Sequence, residues 1–139
     1  MILKKLSKLT NKNREPLNCI LLKKGGTAVA TDSFILAEVQ TLIKNEEDIL
    51  ISPDILDENN YQNYISNLKV DDYPEYRKAF PSSDVKCKAK VNISLLKRLL
   101  SLFENNENVD LLFYEEGKPL VIQNELKTKI GLIMPIREE

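Results

Sequence analysis

Apolar residues fall at two different periods along this chain, helical first and strand-like afterwards, and the same succession occurs twice. Ile2, Leu3, Leu6 and Leu9 recur at helical spacing with Lys4, Lys5, Lys8 and Lys12 on the remaining faces, which predicts an amphipathic helix over residues 2–13. Pro16 stops it. Residues 17–24 then read as a strand, Gly25-Gly26 as a tight turn, and residues 27–31 and 34–39 as two further strands around Asp32-Ser33.

The second half repeats that order. Val85, Cys87, Ala89, Val91 and Ile93 alternate with Lys86, Lys88, Lys90 and Asn92, the period of a half-buried strand with one basic face. Ser94 is the expected N-cap of a helix whose apolar stripe is Leu95, Leu96, Leu99, Leu100, Leu102 and Phe103. Strands over 109–114, 120–124 and 129–134 follow, the first two joined through Glu115-Glu116-Gly117-Lys118-Pro119. Between the halves, residues 53–68 predict a short helix and loop, broken at Asp57-Glu58-Asn59-Asn60. The fold class expected is therefore α+β: one domain over residues 1–139, made of two pseudo-symmetric (β)αβββ halves with helices packed on antiparallel sheets. Residues 1–44 form the first half, 45–81 a connecting segment and 82–139 the second half.

Composition narrows the function classes. A chain of 139 residues, 42% hydrophobic and 29% charged, has the profile of an ordinary globular protein. No apolar run approaches the roughly 20 residues needed to cross a bilayer, and no signal-peptide core is visible, so no membrane association and a cytoplasmic location are expected. Cys19 and Cys87 lie in alternating segments without metal-type spacing, which predicts two small buried hydrophobes. The chain has no histidine, hence neither the commonest general base nor the commonest zinc ligand. Asp71-Asp72 and Asp54-Asp57-Glu58 match no metal loop, and Gly25-Gly26 lacks the remainder of a phosphate loop. The expectation is a protein that is not an enzyme, with no metal and no cofactor. The net charge of −1 conceals blocks of opposite sign: residues 1–24 hold seven Lys/Arg against one acid, and residues 25–76 hold two against eleven.

Three phrases carry a family resemblance. Pro16-Leu17-Asn18 followed by Ala30-Thr31-Asp32-Ser33-Phe34-Ile35-Leu36-Ala37, then Tyr73-Pro74-Glu75-Tyr76 with Pro81, then Met134-Pro135-Ile136-Arg137 resemble, in this order, segments of the bacterial sliding clamp, the beta subunit of DNA polymerase III. The resemblance spans nearly all of this chain but only part of a clamp. It implies a single DNA-clamp-like domain. It also implies a pocket for the short clamp-binding peptides of polymerases and other replication or repair proteins, with Thr31, Ser33, Phe34, Ile35 and Leu36 on one wall, Pro81 at the rim, and Leu132, Met134, Pro135, Ile136 and Arg137 on the other. Ser33, Phe34 and Ile35 stand where the family has Gly, His and Arg, so this pocket is expected to be more apolar. By periodicity alone Leu36, Leu132 and Met134 read instead as strand residues of the core.

In clamps the helices face duplex DNA in the hole of a ring, which assigns Lys4, Lys5, Lys8, Lys12, Lys97 and Arg98 to non-specific phosphate contacts and implies a homo-oligomer. A solvated charged face is the plainer reading of the same lysines. Two functions follow: a clamp-like processivity protein that docks peptides and encircles or contacts DNA, or a monomeric or dimeric peptide-binding adaptor that touches no DNA.

Overall fold

The computed structural model describes residues 1–137 and divides the backbone into two compact units, Met1–Pro81 and a second from Ser82 onward. Both are built from helices and antiparallel sheets, so the class is α+β.

In the first unit, helix α1 (Ile2–Ser7) precedes strands β1 (Ile20–Leu22), β2 (Thr27–Thr31), β3 (Leu36–Gln40) and β4 (Ile49–Ile51), arranged β3-β2-β1-β4 with every pair antiparallel. The helix is shorter than the pattern predicts. Past Ser7 the chain turns, with Thr10 donating its hydroxyl to the Ser7 carbonyl and Asn11 accepting from the Asn13 backbone, the local competition by which Thr and Asn end helices. Strand β1 is also shorter, because Pro16–Cys19 forms a turn closed by the Cys19 N–H on the Pro16 carbonyl. Strand β4 lies inside the segment expected to connect the halves. Ile49-Leu50-Ile51 pairs with Leu22, Leu21 and Ile20, a run too short to display a period in the sequence.

Both faces of this sheet are covered, which is why β1 is buried at all three positions. Ile20, Leu22, Ala28, Ala30 and Ile51 pack with Leu3 and Leu6 of α1 and with Ile55. Leu21, Val29, Leu50 and Cys19 point to the other face, where they meet Tyr73 and Tyr76. The expected helix and loop over 53–68 is a 3-10 segment, Glu58–Tyr64, begun by Asp57 accepting from the Asn59 N–H at 2.9 Å. Glu58 in turn accepts from the Leu3 N–H at 2.7 Å, satisfying a first-turn donor of α1 from 55 residues away.

The second unit holds helix α2 (Ile93–Leu100) and a meander of β5 (Val109–Leu112), β6 (Leu120–Asn124) and β7 (Ile130–Ile133). Asn92, not Ser94, caps the helix, accepting from the Leu95 N–H at 3.2 Å. Leu96, Leu99 and Phe103 pack on Leu120, Ile122 and Ile133. Gly131 lies beneath Leu99, where a Cβ would collide with the leucine side chain, so the glycine sets how closely α2 approaches β7. The alternating run 85–93 is not a strand. Ala89 and Val91 rest against the core, but Val85 and Cys87 are exposed, and among the described residues the run belongs to neither sheet, although its Lys90 carbonyl accepts from the Ile136 N–H. Alternation makes a strand only where a partner supplies a ladder. Cys19 is buried as expected; Cys87 is not.

Candidate functional site

The sequence-expected pocket residues fall in both units. In the first, the β2–β3 connection is a rigid tip. The Asp32 carboxylate accepts from the Phe34 and Ile35 N–H groups, each at 2.8 Å, and the Thr31 hydroxyl donates to the Ile35 carbonyl at 2.6 Å. Ser33 adopts φ +86°, the left-handed conformation that non-glycine residues rarely take. The Ile35 and Phe34 backbone donors hold the Asp32 carboxyl below its ordinary range. Phe34, 93% exposed, projects from this tip, and Ile35 is half exposed. Leu36 is partly buried against the Val29–Tyr76 cluster, so it serves the core, and Thr31 is buried. Pro81 is exposed at the end of the unit.

In the second unit, Met134, Pro135, Ile136 and Arg137 line a groove of about 370 Å³ whose other side is Lys88, Ala89, Lys90, Glu116 and Gly117. Met134 is 64% exposed and Ile136 47%, while Ile133, their neighbour in β7, is 5% exposed. Leu132 shares the outward parity at 56% but is not among the groove residues. The Ile136-to-Lys90 backbone bond, 2.8 Å, holds the two sides of the groove together. A second hollow of about 770 Å³ adjoins it through Lys88 and Glu116, lined also by Val85, Lys86, Cys87, Tyr114 and Glu115. There the Cys87 thiol donates to the Tyr114 carbonyl. The basic side of the groove comes from the run 85–93 whose alternation suggested a strand, and nothing in the spacing marked it as a wall.

The expected DNA-contact residues are all at the surface. Lys4 and Lys5 lie on α1, Lys8 is its C-cap, Lys12 belongs to the turn beyond it, and Lys97 and Arg98 occupy the last turn of α2. Lys8 and Lys12 border a hollow that also includes Asp54. Beside Lys97 and Arg98, the flanks of α2 are apolar and open: Ile93 is 62% exposed, and Leu95, Leu100 and Leu102 are exposed as well.

Tyr73 and Tyr76, matched by sequence to the clamp's connecting phrase, are core anchors in the first unit. Burial, with Cys19 and Tyr76 nearby, pushes the Tyr73 hydroxyl up to about 12. Lys23 and Arg77 stand 5.7 and 6.0 Å from the Tyr76 ring centre. Among the described residues no group of three His, Cys, Asp or Glu could hold a metal ion, and no helix is long and apolar enough to cross a membrane. Compared with models of protein families, with curated proteins and with solved structures, the chain has no match.

Proposed function

We propose that this chain is a sliding-clamp-like docking protein that binds the short clamp-binding peptides of replication or repair proteins, acts without catalysis, and contacts duplex DNA non-specifically as a homo-oligomer. One observation carries the reading: the apolar Met134 and Ile136 face a groove at the surface instead of the core, where adjacent Ile133 goes. Methionine at the mouth of such a groove adapts its shape to an inserted aliphatic or aromatic side chain. The repeated order of a helix followed by an antiparallel three-strand meander, α1 with β1-β2-β3 and α2 with β5-β6-β7, supports a clamp-type domain.

A peptide bearing Gln-Leu-Xaa-Leu-Phe should bind the full chain with a dissociation constant of about micromolar strength for so small a contact. Titration calorimetry tests this, with Met134→Ala expected to weaken binding more than about tenfold while circular dichroism stays unchanged. Absence of binding to the wild type refutes the docking role.

The adaptor reading, without DNA, is favoured by the open apolar flanks of α2, since a phosphate-facing helix gains nothing from exposed Ile93, Leu95, Leu100 and Leu102. Fluorescence anisotropy on unrelated duplexes separates the two. Phosphate contacts predict equal affinity for all of them, a fall with added salt, and loss in the Lys4→Ala, Lys8→Ala, Lys97→Ala, Arg98→Ala combination. Light scattering gives the oligomer.

A further inference from the structure

We propose that residues 66–81 form a strap that opens from the second face of the first unit's sheet while the rest of that unit stays folded, uncovering Cys19. The strap enters through the Ser66 N–H on the Leu50 carbonyl. From there its described backbone bonds are local: Asp72 to Lys69, Tyr73 to Val70, Lys78 to Glu75 and Phe80 to Arg77. Beyond Ser66 no strand ladder ties it to the sheet, so from there on side chains hold it. These are Leu68, Val70, Tyr73 and Tyr76, with an ion pair from Arg77, itself 68% exposed at its side chain, to Glu38 at 3.3 Å.

One of the two principal anchors is imperfectly satisfied. Tyr73 is 8% exposed and Tyr76 7%. The Tyr76 hydroxyl faces Glu38 and Arg77, whereas the Tyr73 hydroxyl has no hydrogen-bond partner among the described residues. Closing the strap strips water from that hydroxyl without replacing it, and opening returns it. The Tyr73 ring favours closure and its hydroxyl opposes it. A segment with local backbone bonds and few apolar anchors belongs to the low-stability end of a fold's opening spectrum. The opposite face has no such weakness, since α1 buries Leu3 and Leu6 and is bonded at its first turn by Glu58.

Cys19, 3% exposed beneath Tyr73 and Tyr76, reports the motion. Exposed Cys87 is removed as Cys87→Ser in the full chain, and labelling of Cys19 by a disulfide reagent is followed against urea, with the fully unfolded chain giving the intrinsic rate. At low urea, labelling should run faster than global unfolding allows, with a shallow urea dependence, and merge with the global transition at higher urea. Tyr73→Phe, which keeps the ring and removes the unpartnered hydroxyl, should slow labelling several-fold at low urea, and Arg77→Ala should speed it. Labelling that tracks global unfolding at every urea concentration overturns the proposal. So does labelling indifferent to both substitutions, which would mean another route to Cys19, or labelling accelerated by Tyr73→Phe, which would mean the hydroxyl holds the strap down.

Discussion

Asn124, buried in β6, donates its side-chain amide to the Glu107 carboxylate 17 residues earlier at 3.0 Å, and in the same place receives the Lys129 N–H, also at 3.0 Å. Lys129 returns to Glu107 with its ammonium at 3.0 Å, and the Glu104 N–H caps the same carboxylate at 2.6 Å. Together these tie the loop after α2 to the β6–β7 hairpin. They hold the Glu107 carboxyl at about 2, the Asn124 hydrogen bond contributing most, then the Glu104 backbone and Lys129.

A pH dependence follows with a definite sign. A carboxyl whose pKa is lower folded than unfolded stabilises the fold fully above the ordinary carboxylate range and loses that contribution as pH falls towards 2. Thermal unfolding between pH 5 and pH 2 should therefore slope less steeply in Glu107→Gln than in the wild type, and the two curves should differ most at neutral pH. Equal slopes would mean that Glu107 is not held by this cluster.

Substitutions at Gly131 should separate by shape. Alanine presses only on the end of Leu99, a flexible side chain that can shift, and should cost about 1 kcal/mol or less. Valine cannot be accommodated that way and should cost about 1–3 kcal/mol, read from chemical denaturation of the second unit.

Gly25 and Gly26 share positive φ but not surroundings. A Cβ on Gly25 meets nothing, so Gly25→Ala should lose only the left-handed backbone penalty, about 1–2 kcal/mol. A Cβ on Gly26 meets the Ile43 and Thr41 carbonyls, backbone held in place by the Thr41 N–H and hydroxyl donating to the Gly26 carbonyl, so Gly26→Ala should destabilise distinctly more. Urea midpoints of the two variants give the comparison.

The β2–β3 tip should tolerate loss of its aromatic ring but not of its carboxylate. Phe34→Ser should leave the unfolding free energy within about 0.5 kcal/mol of wild type, since almost none of the ring is buried. Asp32→Ala removes the acceptor of two backbone donors, and amide exchange at Phe34 and Ile35 should accelerate while the strands keep their protection.

Where the sequence pattern was strong it located elements closely: β2 and β6 have the bounds their alternation and turns predict. The run 85–93 alternates just as cleanly and is not a strand, because periodicity describes one chain and a ladder needs two. Helix α2 begins two residues earlier than Ser94 suggests, since Asn92 is as good a cap and lies nearer the first apolar turn. At the groove beside β7 the apolar residue types were legible in the sequence and their facing was not. Around β7 both parities are apolar, with Leu132 and Met134 on one side and Ile133 on the other, so alternation separates the sets without saying which meets α2. The strap was hidden for the opposite reason: Tyr73 and Tyr76 stand at helical spacing but Pro74 between them forbids a continuous helix, and their burial is decided by a sheet more than twenty residues away.

The two units possess very unequal interiors. Among the described residues, Leu120, Ile122 and Ile133 are the buried apolar side chains of the second, against fifteen in the first, and α2 meets its sheet through Leu96 and Leu99, with Phe103 beyond the helix adding one more contact. So thin an interior contributes little to hold 58 residues folded, so heating should not produce one transition. The second unit should melt first, broadly, and leave the first to give the sharp calorimetric peak. A protease should then release a fragment ending near Pro81 below the temperature of that peak, and the groove beside Met134 and Ile136 would reach its temperature limit with its own small unit, tens of residues along the chain from the most stable core.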